Sequence, residues 1–156
     1  MPTKEDIIEF LIREFPQNKC VIDAVGTGVA TVTHPVDHSN LRPGGTVSGP
    51  LLIPVADISI YVAILGTIGI VTLAVTTSLT INFLRKPIAD KAIVGDCKLI
   101  KVGRSLIVGE VSLHSIGNDA MVAHAVGTYS VPSRVPWLSP PADGERSGGH
   151  PTVVEF

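Results

Sequence analysis

From Ser48 to Leu65 the chain reads Ser-Gly-Pro-Leu-Leu-Ile-Pro-Val-Ala-Asp-Ile-Ser-Ile-Tyr-Val-Ala-Ile-Leu. Wound as a helix, this stretch is apolar on every side, and such a helix has to be enclosed by the rest of the fold. Ser48 or Gly49 serves as N-cap and Pro50 as the first helical residue, where a missing N–H costs nothing. Pro54, one turn on, either delays the regular helix or kinks its first turn. Gly66-Thr67-Ile68-Gly69 ends it. A single carboxylate, Asp57, lies inside, and no Lys or Arg occurs between Arg42 and Arg85 to neutralise it. Helix-dipole effects fade after the first turn, so Asp57, about two turns in, has no local reason to be there.

The flanking sequence supplies the enclosure. Thr3 with Asp6, followed by Ile7, Ile8, Leu11 and Ile12 at helical spacing, predicts a capped amphipathic helix that ends near Phe15-Pro16. Cys20 to Val25 and Gly28 to His34 are β-branched runs separated by Gly26-Thr27, the pattern of a hairpin. After the long helix come four strand-like segments: Val71 to Leu84, Ala92 to Val102, Leu106 to Ser115 and Ala120 to Val131. Gly103-Arg104 and Gly117-Asn118-Asp119 supply turns between them. The economical architecture is α+β, one long central helix wrapped by a curved antiparallel sheet. Residues 1–131 then form a single domain with an N-terminal helix, and residues 132–156 form a Pro- and Gly-rich C-terminal tail.

Composition removes several function classes. A net charge of -2 with scattered basic residues gives no footprint for nucleic acid. The uncharged run from Ile58 to Leu84 is long enough to cross a bilayer. Gly66, Gly69 and five threonines interrupt it, and a buried helix, a turn and a strand explain it without unpaired backbone. Met1 to Phe15 lacks the continuous apolar core of a secretory signal, so a cytoplasmic location is expected. Cys20 and Cys97 match no metal spacing and read as small buried thiols. His34 and His38 are separated by Pro35 and do not form a helical ligand pair, and His114 and His124 read as strand surface residues. The pattern calls for no cofactor and no metal.

Five strings in order carry a family resemblance: Gly45-Thr46-Val47-Ser48-Gly49; Ala56-Asp57; Leu79-Thr80-Ile81-Asn82-Phe83-Leu84-Arg85; Lys101-Val102-Gly103-Arg104-Ser105-Leu106; and Ala123-His124-Ala125-Val126-Gly127-Thr128-Tyr129. Over about residues 42–131 the chain resembles hotdog-fold acyl-CoA thioesterases of the phenylacetate-pathway (PaaI-like) type. The resemblance implies a hotdog fold and hydrolysis of an acyl- or aryl-acyl-CoA thioester. It matches the family's catalytic acid with Asp57, and the first glycine of its His-Gly-Gly motif with Gly49. Ser48 stands where the family has that histidine, and Arg42 where many members have an asparagine. In the family, the acid of one protomer faces the glycine of its neighbour, which implies a homodimer or a tetramer built as a dimer of dimers.

The chemistry fits those residues. The N–H of Gly49, at a helix start, would stabilise the oxyanion, and Asp57 would act as base or nucleophile with a proton affinity raised by desolvation. Ser48 borders the same turn. Thr77 or Thr76, on the following strand, would orient water or the carboxylate. Coenzyme A phosphates want cations, and Arg42, Arg85, Lys86, Lys101 and Arg104 are the candidates. Eight helical steps separate Gly49 from Asp57 by about 12 Å, so one helix cannot bring both to a single carbonyl. The alternative is a non-catalytic hotdog module that binds acyl-CoA, motivated by Ser48 and Arg42. A hotdog dehydratase is a weaker choice, since that chemistry asks for a histidine beside the acid.

Overall fold

The computed structural model describes residues 1–36 and 49–132. Arg42, Ser48 and nearly all of the Pro- and Gly-rich tail lie outside the described residues. The elements are α1 (Lys4–Glu14), β1 (Val21–Gly26), β2 (Val29–His34), α2 (Gly49–Ile68), β3 (Val75–Phe83), β4 (Ile93–Val102), β5 (Leu106–Ser115) and β6 (Met121–Ser130). All strand pairs are antiparallel, in one sheet ordered β1-β2-β4-β5-β6-β3. Among the described residues its edges are therefore β1 and β3.

The sheet encloses α2 because its inner face is floored with small residues. Cross-strand neighbours share a face, so the register aligns Leu99, Gly109, Gly127 and Leu79 in one row, and Gly95, Leu113 and Ala123 in another. Ile60 of α2 drops into the first row: a Cβ on Gly127 would lie 2.7 Å from its Cδ1, and one on Gly109 3.3 Å from its Cγ2. A Cβ on Gly95 would meet Ser59 Oγ at 2.5 Å. Ser59 itself is fully buried and is satisfied within the helix, donating to the Val55 carbonyl at 2.6 Å. At the far end Gly66 lies against Val25 of β1. The helix thus crosses the sheet from the β3 edge to the β1 edge.

Most of α2 is buried, including every residue from Ser59 to Gly66. By length and hydropathy α2 alone would pass for a membrane span, yet 61% of its most apolar window is covered by the rest of the chain. The enclosure is incomplete, however. Pro50, Ile53 and Pro54 are exposed, and Leu51, Asp57 and Ile58 are only half-buried. The helix expected to be covered all round has an open apolar stripe along its first two turns. Pro54 lies within the continuous helix rather than delaying it.

The N-terminal helix forms as its capping signature predicts: Thr3 Oγ1 accepts from the Asp6 N–H at 3.1 Å, and Asp6 accepts from the Thr3 N–H at 2.9 Å. Ile7, Phe10 and Leu11 form its buried stripe. The β1–β2 hairpin turns at Thr27 and Gly28, where Gly28 has φ +76°. One boundary differs from expectation. The strand predicted from Val71 begins only at Val75, because its partner β6 stops pairing at Ser130 and the Val131 N–H goes to the Ser105 carbonyl instead. With no ladder to join, residues 71–74 form a connector.

The packing of Ile60 makes a direct prediction. Gly127→Ala should lower stability in urea denaturation by about 1–2 kcal/mol through overpacking. In an Ile60→Val background, which removes the crowding Cδ1, less than half of that loss should remain; strict additivity would show that Ile60 does not sit in the glycine row.

Candidate active site

Asp57 lies on the half-open side of α2, where the helix passes the β3 edge. Two hydroxyls meet its Oδ1: Thr76 Oγ1 donates at 2.8 Å and Tyr129 Oη at 2.7 Å. Tyr129 also stands 3.1 Å from the Asp57 backbone carbonyl. Thr76 and Tyr129 are cross-strand partners on β3 and β6, so both point to the helix side of the sheet. Among the described residues no donor reaches Asp57 Oδ2, and no cation pairs with Asp57.

A β-bulge distinguishes the two candidate threonines. Leu79 and Ile81 face the helix opposite Gly127 and Ala125, and strict alternation would turn Thr77 inward with them and Thr76 outward. The register instead shifts between Thr76 and Ser78, leaving Thr77 as the extra residue. Thr76 is thereby aimed at Asp57, and the Thr77 hydroxyl donates to the Thr128 carbonyl at 3.2 Å.

Tyr129 was not among the sequence candidates. It is 4% exposed and lies parallel to Tyr61, with ring centroids 5.9 Å apart and planes 6° from coplanar. Burial, followed by the charge of Asp57, pushes its phenol well above the ordinary range. It is therefore a neutral O–H donor at any working pH. Tyr61 is raised to about 12, first by burial and then by Glu14, and donates to the Val71 carbonyl at 2.8 Å. The signals available in sequence were that Tyr61 and Tyr129 are the two tyrosines of the chain and that Tyr129 closes the last of the five strings that carry the resemblance.

Gly49 opens α2, where the first N–H groups have no partner within the helix. A Cβ on Gly49 would lie 3.7 Å from the Phe83 ring, which places the helix start beside the far end of β3 from Thr76. Asp57 and Gly49 thus sit at opposite ends of the same edge strand. The cations divide in the same way. The Arg85 N–H bonds the Val122 carbonyl and Lys86 follows it, both near Gly49, whereas Lys101 and Arg104 lie toward the Tyr129 end of the sheet. All four are exposed. Val122 on β6 and Val131 just past its end are nine residues apart, or about 30 Å of extended chain, so the fold of the chain does not bring the four together. Ser48 and Arg42 lie outside the described residues.

The remaining polar groups stand away from this site. His114 pairs with Asp96 at 3.6 Å and His124 with Glu110 at 3.2 Å on the outer face of the sheet. Both are partly buried rather than simple surface residues. Cys20 and Cys97 are free; Cys97 is buried as expected but Cys20 only half-buried, and burial raises their thiols to about 11 for Cys20 and about 12 for Cys97.

The profile of the thioesterase superfamily matches residues 44–121. A crystal structure of a candidate thioesterase from Silicibacter sp. TM1040 is similar at 41% identity and TM-score 0.76, covering 83% of this chain and 91% of that one. The PaaI protein of the Escherichia coli phenylacetic acid degradation operon is similar at 20% identity and TM-score 0.72, covering 82% and 92%. A hypothetical thioesterase of Streptococcus pneumoniae TIGR4, solved with coenzyme A, is similar at 23% identity and TM-score 0.63, covering 74% and 90%. No curated protein sequence matches the chain significantly. With half of its length matched by the family profile and a 41% identical relative spanning most of the rest, the chain is a hotdog-fold member of the thioesterase superfamily.

Proposed function

We propose that the protein is an acyl-CoA thioesterase of PaaI-like type that hydrolyses short, medium or aryl-acyl thioesters at sites shared between two protomers. The observation that carries this reading is the placement of Asp57. A carboxylate held by two hydroxyls stands at the edge of the sheet formed by the described residues, and a helix N-terminus stands about 12 Å away at the other end of that edge.

Dyad pairing of two β3 edges would complete the site. Centred on Leu79, antiparallel pairing sets position 76 of one strand opposite position 82 of the other. Asp57 of one protomer then lies beside Gly49 of the partner subunit. The same operation brings the partner subunit's Arg85 and Lys86 to the end that holds Lys101 and Arg104, which gathers the four cations where coenzyme A phosphates could meet them. It also covers the open stripe of Pro50, Ile53 and Pro54. The coenzyme A seen with the Streptococcus pneumoniae relative supports that class of ligand. Free thiols at Cys20 and Cys97 agree with a reducing, cytoplasmic setting.

In this arrangement, the Gly49 N–H and the positive end of α2 polarise the thioester carbonyl of a substrate bound against the partner. Asp57 either removes a proton from an attacking water or attacks the carbonyl itself, in which case water then hydrolyses the acyl-aspartyl anhydride and restores the carboxylate. The C–S bond breaks and coenzyme A leaves as its thiol. No group other than water is consumed.

The carboxylate is tested by free-thiol release across an acyl-CoA panel. Asp57→Asn should keep its thermal transition and lose at least about a hundredfold in kcat/KM. Equal rates in the two proteins would overturn the assignment, and tight acyl-CoA binding with negligible parental turnover would favour a binding module. Thr76→Val should cost about tenfold and Thr77→Val no more than about twofold, because only Thr76 reaches Asp57.

A mixing experiment tests the shared site. Gly49→Pro removes the proposed oxyanion donor at a position where proline suits a helix start. Alone, Gly49→Pro and Asp57→Asn should each be nearly inactive. After unfolding and refolding as an equal mixture, half of the dimers are mixed and each restores one of two sites, so about a quarter of parental activity should return. No recovery would place both groups in one chain.

A further inference from the structure

We propose that Tyr129 is a positioning residue that locks the Asp57 carboxylate so that a single oxygen, Oδ2, faces the reacting thioester. The kinetic part of this inference rests on the thioesterase reading; the geometric part does not.

Tyr129 has one proton to give and two acceptors within reach, the Asp57 carboxylate oxygen at 2.7 Å and the Asp57 carbonyl at 3.1 Å. The shorter, charge-assisted bond is the stronger one. Thr76 spends its own proton on the same Oδ1. Both donors are anchored in the sheet on paired strands, so Oδ1 is turned inward and saturated. Oδ2 is left without a donor among the described residues. A carboxylate with one oxygen tied twice cannot rotate, and its remaining lone pairs keep one direction for water or carbonyl carbon.

The phenol is itself immobilised by an aromatic stack. The Tyr61 ring runs parallel to Tyr129 with centroids 5.9 Å apart, Phe15 meets Tyr61 edge-on at 5.8 Å and 83°, and Phe10 approaches it at 6.5 Å. The far end of Tyr61 is tied to the connector by its bond to the Val71 carbonyl. The N-terminal helix α1 thereby reaches Asp57 through Phe10 and Phe15, then Tyr61, then Tyr129. A tyrosine kept only for packing would need none of this alignment, since a phenylalanine fills the same space.

Two measurements decide the matter. From β3 Asp57 faces Thr76, from β6 it faces Tyr129, and Tyr61 of α2 stands behind Tyr129; no Lys, Arg, His, Asp or Glu among the described residues is bonded to it. A hydroxyl donor favours the charged carboxylate, so its removal favours the protonated form. Tyr129→Phe should therefore move the acid limb of the kcat/KM profile to higher pH and lower kcat about tenfold, with KM changed less than about twofold. Tyr61→Phe, which touches Val71 and not Asp57, should leave that limb in place. An unmoved limb in Tyr129→Phe would make Tyr129 structural and overturn the proposal.

The second measurement needs neither turnover nor a viable Tyr129→Phe variant. The chain has two tyrosines, so uniform 3-fluorotyrosine labelling yields two fluorine resonances, which Tyr61→Phe assigns. The Tyr129 resonance should titrate in the acid range and stop doing so in Asp57→Asn. A flat Tyr129 resonance in the parent protein would overturn the proposal. Retained thioesterase activity in Asp57→Asn would instead refute the functional reading, with the fluorine titration still deciding whether Tyr129 senses the carboxylate.

Discussion

Enclosing an all-apolar helix is the constraint on which the rest of this structure depends. A twenty-residue helix with buried side chains around most of its circumference needs a sheet that curves about it and a floor low enough to let it approach. Gly95, Gly109 and Gly127 provide that floor on three adjacent strands, with Ala123 and Ala125 beside them. Ile60 and Ser59 take up the space. Because packing at this contact leaves no room for an added methyl group, the position of the helix along the sheet is tightly defined.

That position generates the site. A helix running from the β3 edge to the β1 edge brings its N-terminal half, and Asp57 with it, to the margin of the sheet rather than its centre. The β3 edge is also where the bulge at Thr77 re-aims Thr76. A regular strand would have turned that hydroxyl away from the acid. The local irregularity, the sheet edge and the half-open helix face therefore belong to one arrangement. Tyr129 completes it from β6, held in turn by aromatic contacts that lead back to α1. The half-buried acid is braced from the interior of the fold.

Several of these features were legible in the residues. The capping signature at Thr3 and Asp6, the glycine turns and the β-branched alternation located nearly every element, because each depends on contacts within a few residues. The isolation of Asp57 in an uncharged run marked it as the residue to explain. The strand start was misplaced at Val71 because the β-branched run continues past the point where β6 can still pair with it. The candidate phosphate-binding cations share only basic character, which carries no information about the two ends of a sheet.

The sequence by itself determined the α+β class, the buried central helix and the identity of its one acid, since periodicity, capping and charge isolation are local properties of the chain. Tertiary structure decided which threonine reaches that acid, because the choice turns on one extra residue in the β3–β6 register. It also decided that Tyr129 is the second donor. Seventy-two residues separate Tyr129 from Asp57, and only the sheet wrapped around the helix brings the phenol to the carboxylate.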